Sequence, residues 1–242
     1  MGDQIVAPRS SLKDRIAQKP TRSFILLWNF VRYWARYLLF GGRKSIPALV
    51  DFVLEDHLCS SMQKPDELTA LCEMLAARRP EHLLEIGTAH GGTLFVLTRL
   101  ASPHATIISV DLTGGRLGEG PTRALIFKRF ARRRQRLYLL LGDSHSAETL
   151  NRVKDILKQQ ALDFLFIDGD HSYEGVKRDF ELYGPLVRKG GIVAFHDIVD
   201  GAPEFVGGVP AFWREIRPRY RHAEIIENPR QGGWGIGVLY ID

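Results

Sequence analysis

A chain of 242 residues with 45% hydrophobic and 25% charged residues has the composition of a folded globular protein. Fibrous and disordered classes are excluded, and one α/β domain with an appendage fits the length. The formal net charge of +5 and a pI near 9.3 permit contact with phosphate or an anionic surface without requiring it. Cys59 and Cys72 form neither a CxxC pair nor a disulfide framework, so a reducing, cytoplasmic setting is expected and a cysteine zinc site is excluded.

Residues 1–21 have scattered charges, two prolines and no sustained periodicity, which predicts a poorly ordered tail. The aromatic-rich stretch "RSFILLWNFVRYWARYLLFGGRK", residues 22–44, is broken by Arg32 and Arg36 and is too short in uncharged residues to span a bilayer. As a helix it places Arg22, Asn29, Arg36 and Arg43 on one side, with Trp28, Val31 and Trp34 on the rest. This basic amphipathic helix, over about 23–40, is expected to pack on the domain or on a twin subunit, with peripheral membrane contact as the alternative. Further helical patterns cover 46–59 and 65–78, the latter opening on Pro65, Asp66 and Glu67. Residues 1–64 are thus expected to form an N-terminal tail and helical extension, and residues 65–242 the main domain.

From residue 82 short apolar runs alternate with amphipathic stretches: "HLLEI", "ATIISVDL", "LYLLLGD", "LDFLFID" and "GIVAFHD". Continuous runs alternating with helices predict buried parallel strands in βαβ units, with helices on both faces. "VPAFWREI" follows at helical spacing, then "HAEIIEN" and "WGIGVLYID", two adjacent strands separated only by "PRQGG". The sheet should therefore end in an antiparallel pair. The expected architecture is α/β: a doubly wound, mostly parallel seven-stranded sheet of Rossmann type.

In such a sheet the ligand sits beyond the carboxyl ends of the strands, so their tips are read together. The first strand runs into "LEIGTAHGGTL", where Gly87 permits a sharp turn and Gly91 permits close approach at the next helix. Glu85, Gly87, Thr88 and Gly91 form a cofactor loop, with Ala89 where a dinucleotide fingerprint has its second glycine. Asp111 ends the second strand, where a carboxylate can accept from both hydroxyls of a ribose. Asp143 ends the third, placed either for an adenine amino group or as a helix cap, with Ser146 as an alternative cap.

On "LEIGTAHGGTL", "FLFIDGDHSYEGVKRDF", "LVRKGGIVAFHDI" and "GWGIGVL", residues 65–242 resemble a class I S-adenosylmethionine-dependent methyltransferase, within the cephalosporin-hydroxylase-like and catechol-type O-methyltransferase group. The resemblance implies S-adenosylmethionine as donor, a small-molecule hydroxyl as acceptor, and a divalent cation, magnesium or manganese, held by Asp168, His196 and Asp197. His171 stands where catechol-type enzymes keep a lysine base, so it is expected to take the acceptor's proton, with a role as metal ligand as the alternative. An ordinary histidine does so with a pKa of about 6.5, lowered further by a nearby cation. Asp170 and Ser172 are expected to cap the following helix; His145 has no assigned role.

The acceptor class expected is a sugar, glycolipid or polyketide-like molecule. A nucleic-acid methyltransferase is the first alternative, prompted by "FKRFARRRQR", residues 127–136, with six basic residues in ten. No [DN]PP[YFW] motif and no interleaved stacking aromatics support it, so a solvated basic face is the simpler reading. A non-catalytic, membrane-docked module of the same fold is the second alternative, opposed by the acids at every strand tip.

Overall fold

The computed structural model describes residues 45–55, 59–112, 121–132 and 134–242. The predicted tail and basic amphipathic helix, and with them the expected membrane or subunit contact through residues 23–40, lie outside the described residues. Ser45–Asp242 forms one compact unit, so the helix just before residue 60 belongs with the domain that follows it.

That helix, α1 (Ile46–Glu55), buries Leu49, Val50, Phe52 and Val53. The next, α2 (Pro65–Arg78), starts on Pro65 with Asp66 and Glu67 in its first turn and ends where Arg79 turns left-handed. Proline fits a first turn that has no partner for its N–H, and the acids complement the positive helix end.

The sheet comprises β1 (His82–Ile86), β2 (Thr106–Asp111), β3 (Arg136–Leu141), β4 (Leu162–Ile167), β5 (Val187–Phe195), β6 (Arg221–Ile225) and β7 (Ile236–Tyr240), in the order β3-β2-β1-β4-β5-β7-β6. The first five are mutually parallel, while β7 runs antiparallel between β5 and β6. Helices α3 (Gly92–Leu100), α4 (Pro121–Lys128), α5 (Ala147–Leu157) and α6 (Tyr173–Tyr183) make the crossovers, and α7 (Pro203–Val206) and α8 (Val209–Ile216) precede the final pair. Strand order reverses at β1, which lies between β2 and β4. A doubly wound sheet opens its ligand crevice there.

Two expectations need adjusting. Helices cover both faces, but cover is only partial at β3, where Leu140 is buried while Tyr138 and Leu141 are exposed, because this strand forms an edge. The link between the last two strands spans residues 226–235 instead of "PRQGG" alone, because Glu67 takes hydrogen bonds from Gln231 Nε2 (2.7 Å) and Gly235 N (2.9 Å) and holds the loop out of the ladder.

Beside β5, α8 buries Val209, Phe212, Trp213 and Ile216 at the i, i+3, i+4, i+7 spacing of one helix face. Trp213 packs on Phe195 and donates to Glu224 at 2.6 Å. The basic stretch is partly committed to backbone and hydroxyl acceptors: Arg132 donates to Arg99 O (3.2 Å) and Arg136 to Thr106 Oγ1 (3.0 Å). These guanidinium bonds are structural.

At the opposite end of the sheet from the ligand crevice, Asp163 on β4 accepts from Glu81 N (2.6 Å), His82 N (2.8 Å) and Arg188 Nε (2.6 Å). Burial alone would raise its pKa, but these donors outweigh it and hold the carboxyl below its ordinary value near 3.8. A depressed folded-state pKa stabilises the fold above the unfolded value and loses that contribution as pH falls through the folded one. Asp163→Ala should therefore cost about 1–3 kcal/mol in denaturant unfolding at neutral pH, with the gap closing on acidification.

Candidate active site

The loop leaving β1 is fixed by its neighbours on both sides. Gly87 N donates to Val110 O on β2 and Asp168 N donates to Ile86 O, both at 2.9 Å. Gly87 adopts φ +91, and a Cβ there would lie 1.9 Å from the carbonyl oxygen of Asp168. Only glycine fits both the left-handed turn and that approach. Farther along, Ala89 also turns left-handed (φ +44), and Gly91 N closes the loop on Thr88 O at 2.8 Å.

A cavity of about 910 Å³ lies over the tips of β1, β2, β3, β4 and β5. Ligand pockets commonly measure roughly 300–1,000 Å³, so this one has room at the upper end of that range. Of the sequence-derived candidates, Gly87, Thr88, Asp111, Asp143, Asp168, His171, His196 and Asp197 line it. Two others sit behind the wall. Gly91 provides space for the Phe127 ring, which would lie 2.6 Å from a Cβ at that position.

Glu85 is the second. It is fully buried and accepts from Ser109 Oγ at 2.8 Å, and Ser109 in turn bonds the Thr88 hydroxyl. Burial, reinforced by the charges of Asp168 and Asp111 and only partly offset by the Ser109 bond, pushes its pKa well up. In this state Glu85 supports the loop through Ser109 and Thr88 instead of lining the cavity itself. A single strand pattern could not tell these positions apart, because β1 is buried on both faces.

Asp111 and Asp143 stand at the β2 and β3 tips on the cavity wall. Asp111 Oδ1 accepts from Leu112 N (2.9 Å) and Asp143 Oδ1 from His145 N (2.8 Å). Ser146, not Asp143, is the N-cap of α5, accepting from Thr149 N at 3.1 Å. At α6 the cap is Ser172, accepting from Gly175 N, while Asp170 accepts from Ser172 N at 2.8 Å just upstream.

At the β4 and β5 tips four groups meet. His196 Nδ1 lies 3.1 Å from Asp168 Oδ1 and 3.5 Å from Asp197 Oδ2. His171 lies 3.4 Å from each of the same two carboxylates, through Nε2 to Asp168 and Nδ1 to Asp197. One ligand atom from each of Asp168, His171 and Asp197 falls within 4.8 Å of the others, a spacing able to hold a metal ion. His196 joins through the carboxylates, its Nε2 buried without a hydrogen-bond partner among the described residues.

Asp197 adopts φ +60, and its Oδ1 accepts from Trp234 N at 3.1 Å. Left-handed backbone is uncommon outside glycine, and aspartate tolerates it better than most residues. The turn aims the second oxygen of Asp197 at the two histidines.

The electrostatics bind the cluster together. Burial opposes ionisation of Asp168, yet the neighbouring His196 and His171 bring its pKa down to about 2. The hydrogen bond to Asp168 leads the causes that raise His171 to about 9, burial opposing it. His196, despite a larger burial penalty, is raised to about 10 by Asp168 and Asp197. The expected titration of His171 near 6.5 is thus corrected: without a cation, two carboxylates keep both imidazoles protonated at neutral pH.

Sequence reading missed several cavity residues. Met62, Phe205 and Trp234 are exposed apolar side chains on its wall, and Gln63 is buried against Asp168. None was named singly from the sequence, although Phe205 lies in the loop after Asp197 and Trp234 in the quoted "GWGIGVL"; the paired glycines before Trp234 were the available signal.

Residues 84–198 match a family model described as a methyltransferase domain. Over this stretch the chain is similar to a methyltransferase domain. Its fold is that of an O-methyltransferase from Bacillus cereus solved in complex with SAH, to which the chain is similar at TM-score 0.57 and 19% identity, over 89% of this chain and 99% of that one. The O-methyltransferase TomG from Streptomyces achromogenes, involved in tomaymycin synthesis and solved with SAM, is similar at TM-score 0.53 and 18% identity, over 89% and 97% of the two chains. The uncharacterized protein y4gI of Sinorhizobium fredii is 30% identical over 180 residues, which cover 69% of this chain. The match spans 18% of the length of that relative, and likewise 18% of a shorter-matching mimivirus protein.

The chain therefore has the fold of these O-methyltransferases, with its loop after β1 pinned to the tip of β4. Gly87→Ala should be costly at this contact, by about 2 kcal/mol or more from backbone strain and displacement of Asp168. Calorimetry with S-adenosylhomocysteine should register no binding to any folded fraction; wild-type stability and affinity would show that the contact is dispensable.

Proposed function

We propose that the chain transfers a methyl group from S-adenosylmethionine to a hydroxyl of a small molecule, with a divalent cation at Asp168, His171 and Asp197. The observation carrying this reading is that the donor-side residues Gly87, Thr88 and Asp111 share one cavity with that three-residue cluster. SAM and SAH in the fold relatives support the choice of donor.

The residues fit a cation by chemistry and by spacing. Two carboxylates and one imidazole within 4.8 Å suit manganese or iron better than magnesium, because imidazole is a softer donor than oxygen. Such a cation would polarise the acceptor hydroxyl and lower its pKa. A ligand role for His171 agrees with its position between the same two carboxylates that would hold the cation.

The chain's own contribution is binding and alignment. In this reading Asp111 accepts from the donor's ribose hydroxyls and the loop from Gly87 lies along the donor, both lining the cavity. Holding acceptor oxygen, methyl carbon and sulfur in line supplies much of the rate, because the methyl group of a sulfonium is already activated. Met62 (68% exposed), Phe205 (70%) and Trp234 (40%) also line the cavity, and this reading gives them to the acceptor. They favour a hydroxyl carried on a body with an apolar face, as in a polyketide-like or glycolipid acceptor.

Two measurements test the reading. In calorimetry S-adenosylhomocysteine should bind, and Asp111→Ala should weaken it about 10-fold or more through loss of a charge-assisted contact. Preference for NAD, or unaltered affinity in the variant, contradicts the donor assignment. Separately, Mn²⁺ titration followed by electron paramagnetic resonance should detect one site that Asp168→Asn abolishes; a site surviving in that variant places the cation elsewhere.

A further inference from the structure

We propose that Gln63, from the segment preceding the matched methyltransferase domain, is a positioning residue that holds one oxygen of Asp168 so that the other faces the histidines. Gln63 is 5% exposed and lies on the cavity wall, 105 residues from Asp168 in the chain. Its Nε2 donates to Asp168 Oδ2 at 3.1 Å. Its Oε1 accepts from Thr93 Oγ1 at 3.0 Å and from the Ser61 hydroxyl.

The chemistry of the amide fixes its orientation. Asp168 Oδ2 can only accept, so the amide end facing it is the NH₂, and the other end is the carbonyl that accepts from the two hydroxyls. Asp168 Oδ2 is then occupied, and Oδ1, the oxygen 3.1 Å from His196 and 3.4 Å from His171, is left for those partners or for a cation. One amide therefore ties the first turn of α3, on the donor side, to the carboxylate at the tip of β4.

The segment carrying Gln63 is itself locked to the donor loop. Gly92 N donates to Ser60 O at 3.1 Å, Cys59 Sγ donates to Gly91 O at 3.3 Å, and Ser61 N donates to Val53 O at 2.7 Å. A Cβ on Gly92 would lie 2.3 Å from Ser61 N, so the two backbones meet where no side chain fits. Residues 59–63 are thus held against the Gly91–Gly92 turn, and Gln63 reaches from them to the tip of β4.

The inference rests on the proposed role of Asp168, and its test separates the two. Gln63→Met keeps volume and removes the amide. In the full chain it should weaken Mn²⁺ binding by about 10-fold or more, as loss of a partner behind a metal ligand does, with S-adenosylhomocysteine affinity retained. Unchanged Mn²⁺ affinity in the folded variant overturns the proposal. Should Gln63→Met not fold, Thr93→Val frees the carbonyl end of the amide and should weaken Mn²⁺ binding in the same direction; no change overturns the proposal equally. If the wild-type chain takes up no Mn²⁺, the cation reading fails, and Gln63 is judged by a double-mutant cycle with Asp168→Asn in denaturant unfolding. Non-additive effects support the pairing and additive effects overturn it.

Discussion

The contact between the backbone of Gly87 and the carbonyl of Asp168 is the constraint on which the site depends. Parallel pairing of β1 with β4 brings the two tips level, and Asp168 N on Ile86 O extends the ladder one step past the strands. His196 N on Ile167 O, at 3.1 Å, does the same between β4 and β5. Because each step is a backbone bond between adjacent strands, the donor loop, Asp168 and the His196–Asp197 pair are fixed relative to one another before any side chain is considered. A side chain at residue 87 would separate the first two.

On that frame the charges arrange themselves around a shortage of compensation. Asp168 and Asp197 are only 18% and 10% exposed, and water supplies little screening for two carboxylates so placed. In the cation-free state the two imidazoles supply the positive charge, which explains in one interaction the lowered carboxyl and the raised histidines. A cluster whose neutrality depends on held protons is also one that a divalent ion can enter by displacing them, since metal ligands must be deprotonated.

The fold was legible because its signal is local. Buried parallel strands read as unbroken apolar runs: "HLLEI" and "VPAFWREI" correspond to β1 and α8 residue for residue, and "LDFLFID" to β4 plus Asp168 at its tip. The edge position of β3 was not legible, since exposure at Tyr138 depends on which strand lies beside it. For the site, single residues at strand tips could be named from the sequence, but what surrounds them could not. Glu85 is adjacent to the loop in sequence yet supports it from beneath, and the histidine pKa values are set by carboxylates from two different strands. Gln63, Glu67 and Trp234 are brought to the site by contacts spanning more than a hundred residues, for which no local spacing exists.

The central claim is that donor and cation share the cavity above the β1–β4–β5 tips. Crystals grown with S-adenosylhomocysteine and Mn²⁺, with diffraction recorded at the manganese edge, test it directly. The account predicts one strong anomalous peak bounded by Asp168, His171 and Asp197, with the ribose of the bound molecule at Asp111 and its sulfur in the same cavity. A filled donor site with no peak at those three residues, or a nucleoside bound away from Asp111, would contradict it.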